Sequence, residues 1–140
     1  MTAYLEHIQY VSPDLDRMVE FYCSVFGWRL RGRGVEQAAD RSYGWVHIGT
    51  DESYVAFRTP YDGARYSEDM AQRQTHFGVV VDDLDAVVAR LKSRGFSVRP
   101  KGRHPFRERV YTRDPDGNEI EIIRYLSDKP SERNDYDLDG

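Results

Sequence analysis

The chain has 140 residues, 39% of them hydrophobic and 31% charged, with a formal net charge of −4. That is enough for one domain with a respectable core, and the interspersed acids and bases exclude the basic face that a nucleic-acid-binding protein needs. No signal peptide or membrane-spanning apolar run is visible, and the one cysteine, Cys23, has no intrachain partner, so a cytoplasmic protein is expected. Cys23 falls inside a helical pattern and reads as a small buried hydrophobe.

In chain order, a run rich in β-branched and aromatic residues comes first, Tyr4 to Val11. Ser12-Pro13-Asp14 then signals a helix start, with proline suited to the first helical position. Leu15, Met18, Val19 and Tyr22 recur at helical spacing, and Gly27 sits where a helix C-terminus wants a left-handed residue. Strand-like runs follow at Trp28–Arg31, Gly44–Ile48 and Tyr54–Arg58. Residues 60–74 are polar and turn-rich, and read as a linker.

The pattern then starts again. With His7 laid over His76, Asp14-Leu15-Asp16 falls on Asp83-Leu84-Asp85 and Val19 on Val88. His76 to Val81 reads as a strand, Asp82-Asp83 as a helix start, and Leu84, Val87, Val88 and Leu91 as a helix face ending near Gly95. Ser97–Arg99, Arg109–Thr112 and Glu119–Arg124 read as strands. The organisation is therefore α+β, with βαβββ twice, in residues 4–59 and 75–125. The polar tail, residues 127–140, is expected to be disordered by default, with docking on a dimer partner as the alternative. Two basic clusters, Arg29 to Arg33 and Arg99 to Arg103, read as solvated loops after helices, with binding of an anionic substrate as the sharper option.

Strand alternation puts His7 with Gln9 on one face, and Glu119 with Glu121 on one face of the last strand. Both glutamates and His76 then face a concave surface made by the two modules. Alternation cannot choose between the glutamates. Aligning the last strands, Asp51 over Asp116 and Val55 over Ile120, places Ala56 over Glu121, so His7, Ala56, His76 and Glu121 occupy equivalent positions. Two imidazoles and a carboxylate with open positions suit Fe²⁺, Mn²⁺, Zn²⁺, Ni²⁺ or Co²⁺.

LEHIQYVSPDLDRMVEFYCSVFGW, THFGVVVDDLDAVVARLKSRGF and DPDGNEIEI together resemble the vicinal oxygen chelate superfamily of glyoxalases, bleomycin-resistance proteins and extradiol dioxygenases. The resemblance implies a cup-shaped mixed sheet around one divalent metal held by His7, His76 and Glu121. It also implies a homodimer and a small-molecule substrate with vicinal oxygens. Ala56 stands where glyoxalase I and the epimerases carry a fourth ligand, which turns the expectation toward a dioxygenase-like or lyase-like reaction. A fosfomycin-type thiol transferase or epoxide hydrolase is an alternative, which Lys101 and Tyr111 support and Gln9 opposes. A non-catalytic, bleomycin-resistance-like binding protein is another. Gln9, His47 and Tyr111 are candidate catalytic groups; Tyr54, Arg58, Lys101 and Tyr111 are candidates to bind substrate. A satisfied structural histidine is the simpler reading of His47, and more so of His104.

Overall fold

A computed structural model describes residues 3–61 and 76–140. The chain divides into two compact units, Met1–Gln72 and Arg73–Gly140. In the first, β1 (His7–Val11), α1 (Leu15–Phe26), β2 (Arg29–Ala38), β3 (Arg41–Gly49) and β4 (Tyr54–Arg58) form a four-stranded sheet in the order β1-β4-β3-β2. β1 runs parallel to β4, and the other pairs are antiparallel. The second unit repeats this with β5 (His76–Val80), α2 (Leu84–Ser93), β6 (Arg99–Pro100), β7 (Arg107–Arg113) and β8 (Glu119–Tyr125), ordered β5-β8-β7-β6 with β5 parallel to β8. The expected βαβββ repeat and the α+β class are present. No helix among the described residues is long and apolar enough to cross a membrane. Of the expected linker, residues 62–74 lie outside the described residues.

Both helices start in the same way. The carboxylates of Asp14 and Asp83 accept hydrogen bonds from the backbone N–H groups of Arg17 (3.1 Å) and Ala86 (3.0 Å), satisfying donors that the first turn leaves open. Asp14 is thus the cap and Pro13 precedes it, outside the helix, which corrects the expectation of proline at the first helical position. Ser12 Oγ, not a helical carbonyl, takes the Asp14 N–H at 3.2 Å. Gly27, at φ 68°, ends α1 in the left-handed region.

Each helix packs its apolar face on one side of its own sheet. In the first unit Met18, Phe21, Tyr22 and Val25 of α1 are fully buried with Val46, Ile48 and Phe57. In the second, Leu84, Val87 and Leu91 of α2 are buried with Ile120 and Ile122. The opposite side of each sheet is left for polar work.

Two further expectations are corrected. β2 runs on to Ala38 instead of ending at Arg31, so Arg29 to Arg33 is strand and not a solvated loop. Gly32 and Gly34 serve the strand as a floor for the Trp45 indole: a Cβ at Gly34 would come within 3.0 Å of that ring. The tail is the second correction. It folds into a short helix, α3 (Pro130–Arg133), and a 3₁₀ turn (Tyr136–Leu138) docked on its own unit. The Asp139 carboxylate accepts from Arg107 at 2.8 Å and from Arg109 at 2.6 Å. Gly140 and Arg103 exchange backbone hydrogen bonds, and the Arg133 guanidinium lies 3.7 Å from the Tyr125 ring centre. Composition suggested disorder because the tail carries few apolar residues. Ion pairs and cation–π contacts, which hydropathy does not register, hold it instead.

Candidate functional site

In the first unit, pairing sets the polar face residue by residue. His7 lies beside Tyr54, and Gln9 beside Ala56, which is itself beside His47. The rings stack in sequence: His7 on Tyr54 at 4.7 Å and 9° between planes, Tyr54 on His47 at 4.5 Å, and His47 against Trp45 at 4.6 Å. The Arg31 guanidinium covers Tyr54 at 4.2 Å from its ring centre. Glu6 Oε1 lies 3.0 Å from His7 Nδ1, and that hydrogen bond holds the Glu6 carboxyl below its ordinary range. A carboxylate on one ring nitrogen directs the other, Nε2, toward a metal. Burial, reinforced by the nearby His7 and Arg31, pushes His47 below its ordinary value and favours neutral imidazole. Arg58 stands apart from this group, stacked 4.2 Å from the Tyr61 ring centre and donating to the Thr59 carbonyl.

The second unit carries charge where the first carries rings. His76 is beside Glu119, and Gly78 beside Glu121, which is itself beside Tyr111. His76 Nε2 lies 3.2 Å from Glu121 Oε2, while its Nδ1 lies 3.6 Å from Glu119 Oε1. Glu119 Oε2 is shared by Arg99 at 3.6 Å and Arg113 at 3.5 Å. The Lys101 ammonium donates to the Tyr111 phenol oxygen at 3.0 Å, which raises the Lys101 value and keeps it charged. A cavity of about 360 Å³ opens next to this group, lined by Phe96, Ser97, Arg99, Tyr111, Arg113 and Glu119.

The face therefore gathers His76, Glu121, Tyr111 and Lys101. Register agrees with the sequence alignment in a further respect, since Ala56 and Glu121 each occupy the central position of a matching three-strand row. Arg31, Trp45, Arg109 and Asp139 were not anticipated. A guanidinium over a ring leaves no periodic trace, and Asp139 is one acid among several in a polar tail. His104 is structural: its Nδ1 accepts the Phe106 N–H at 3.0 Å and its Nε2 donates to the Asp135 carbonyl at 2.8 Å. The Cys23 thiol is pushed up by burial and then by Glu20, so the reactive thiolate is disfavoured.

Within either unit, no three His, Cys, Asp or Glu side chains among the described residues form a group that could hold a metal ion. The pair His76–Glu121 does fit one. A nitrogen and an oxygen 3.2 Å apart have the separation of two ligands on one ion, with bonds of about 2.1 Å at roughly 100°.

Residues 4–122 match the Glyoxalase/Bleomycin resistance protein/Dioxygenase superfamily, and the chain belongs to that family. It is 28% identical over 120 residues to the Escherichia coli protein YaeR, covering 84% of this chain and 93% of that one. It is 27% identical over 124 residues to the Arabidopsis thaliana lactoylglutathione lyase GLX1, covering 84% of this chain and 43% of the lyase. It is 29% identical over 141 residues to the Bacillus subtilis catechol-2,3-dioxygenase, covering 96% of this chain and 46% of that enzyme. The chain thus spans under half the length of the latter two. Leishmania major glyoxalase I superposes with a TM-score of 0.69 at 21% identity, covering 88% of this chain and 87% of that one, which places the fold among the glyoxalase-like folds.

Proposed function

We propose that the chain is a divalent-metal-dependent enzyme acting on a small molecule with vicinal oxygens, the ion being held by His7, His76 and Glu121. The observation that carries this reading is the 3.2 Å approach of His76 Nε2 to Glu121 Oε2 on adjacent strands. The pairing of His7 Nδ1 with Glu6 supports it, because the imidazole is then oriented through one nitrogen and able to ligate through the other. A bound divalent ion would supply Lewis acidity, or an oxygen-binding platform if it is iron.

The remaining steps belong to the chain's own groups. Tyr111, beside Glu121 and fixed by Lys101, presents a phenol whose proton lies close to any substrate oxygen delivered to that row. Lys101 stays protonated and offers a positive charge to an oxyanion. Tyr54 is fixed by the His7 and His47 rings and the Arg31 guanidinium, and neutral His47 beside it is able to accept a proton. Ala56, fully buried at the position equivalent to Glu121, contributes no fourth ligand, which favours a substrate bound through two oxygens. Relatives among lyases and dioxygenases support these two reaction types. A homodimer in the cytoplasm completes the reading.

Metal analysis of dialysed protein beside His7→Ala, His76→Ala and Glu121→Ala tests it. The wild type should retain about one equivalent and each variant far less; a wild type no richer than the variants sinks the proposal. Oxygen uptake with catechols under Fe²⁺, set against isomerisation of a glutathione hemithioacetal, then separates dioxygenase from lyase. The Lys101–Tyr111 hydrogen bond favours a second reading, thiol transfer to an epoxide, which metal-dependent loss of fosfomycin with a thiol present would support.

A further inference from the structure

The metal reading leaves one group in the second unit without a role, and its placement is informative. The Arg109 side chain is largely withdrawn from water, 9% exposed, on β7 one alternation away from Tyr111. Its guanidinium stands between two carboxylates. The contact with Asp139 of the tail is close, 2.6 Å from Nη2 to Oδ1, whereas Glu121 Oε1 lies 4.0 Å from Nη1. Its Nε has no hydrogen-bond partner among the described residues. A buried guanidinium must be paired, because leaving one uncompensated is strongly destabilising. The nearest acid to take over, were Asp139 absent, is Glu121.

From this arrangement we infer that Asp139 is a positioning residue for the metal centre: by pairing with Arg109 it keeps that cation from capturing Glu121. The inference rests on the metal reading above and goes beyond it, since it gives the tail a part in the site. Glu121 has two oxygens with different neighbours, Oε2 toward His76 and Oε1 toward Arg109. A carboxylate drawn into a full ion pair with Arg109 would rotate away from His76 and lose negative charge to a competitor. Asp139 prevents this by satisfying the guanidinium first. Arg107, which is buried, donates to the other Asp139 oxygen at 2.8 Å and keeps the tail carboxylate in place. The docked tail is thereby coupled to the strength of a ligand more than a dozen residues earlier in the chain.

The test is a titration of Co²⁺ into dialysed full-length protein, followed by visible absorption, for wild type, Asp139→Asn, Arg109→Gln and the double variant. Asparagine keeps the shape and one acceptor oxygen while removing the charge. Asp139→Asn should weaken Co²⁺ binding at least about tenfold, the size of effect that partners of metal ligands usually show. Removing the competitor as well, in Asp139→Asn/Arg109→Gln, should restore affinity to within about threefold of wild type. A merely structural tail predicts no such rescue. Single-variant affinity unchanged, or a double variant as weak as Asp139→Asn, overturns the inference while leaving the metal reading intact. Should Asp139→Asn fail to fold by circular dichroism, Arg109→Gln alone decides: affinity equal to or above wild type supports the inference, and a clear loss overturns it. A wild type that takes up no Co²⁺ overturns both readings together.

Discussion

The two units are built on one plan, and their polar faces have diverged completely. At matching row positions, Gln9, Ala56 and His47 in the first unit correspond to Gly78, Glu121 and Tyr111 in the second; one row earlier, His7 and Tyr54 answer to His76 and Glu119. Only the histidine that opens each first strand is common to both. The first face is a ladder of stacked rings closed by Arg31, and the second is a net of carboxylates and cations. The helix-facing sides stay alike in character because a helix packed on a sheet requires apolar residues at alternate positions, so Val55 and Phe57 correspond to Ile120 and Ile122. Repetition of a fold therefore constrains one side of each sheet and leaves the other free for chemistry.

The cores offer the largest test of that contrast. Around Tyr22 the first unit packs rings, with Phe57 at 5.4 Å, Trp28 stacked at 5.8 Å and Phe21 edge-on at 5.0 Å. The second unit has aliphatic Leu91 and Ile122 where the first has Tyr22 and Phe57. Phe57→Ala should cost about 3–5 kcal/mol, and Ile122→Ala about 2–4 kcal/mol, in urea unfolding. If aromatic packing makes the first unit the stiffer of the two, hydrogen exchange should rise more widely there in Phe57→Ala than in the second unit of Ile122→Ala. Equal and global loss of protection in both would show that the units unfold as one.

A sharper contrast lies within a single strand. Glu119 and Glu121 share a face of β8 and both approach His76, yet their other partners differ. Glu119 is already committed to Arg99 and Arg113, while Arg109 Nη1 lies 4.0 Å from Glu121. Glu121→Gln is expected to weaken metal binding by roughly 100-fold or more, and Glu119→Gln by a few-fold at most. Equilibrium dialysis with Co²⁺ separates the two, and a larger loss from Glu119→Gln would reassign the ligand.

Much of this was legible in the sequence because it depends on period and register. Val55 over Ile120 already predicts that Ala56 and Glu121 share a position, and the strand pairing bears out that correspondence. The acid-rich stretch at Asp114 to Asn118 likewise resolves as a turn: Asp114 Oδ1 accepts from the N–H groups of Asp116 and Asn118, with Gly117 at φ 87°. What escaped was set by contacts between elements distant in sequence. The continuation of β2 past Arg31 is one case, because the Trp45 ring that lies over Gly32 and Gly34 comes from the next strand. Asp139 gave no sign of its arginines, because an ion pair across thirty residues follows no local rule.

The smallest expected effect concerns the histidines that the ring ladder holds. His47, inside the ladder, is pushed below its ordinary value of about 6.5 chiefly by burial. Its protonated form is therefore disfavoured in the folded chain and taken up freely by the unfolded one. Below pH of about 6.5 the unfolded state binds more protons at this position, so the contribution of His47 to stability declines as pH falls and is recovered above that value. His47→Gln removes it, so the wild-type loss of urea midpoint between pH 7.5 and pH 5.5 should shrink in the variant. His104, outside the ladder and hydrogen-bonded through both nitrogens, supplies the control. An unchanged slope in His47→Gln would mean that the ladder opens readily to water, and that its rings stack without excluding it.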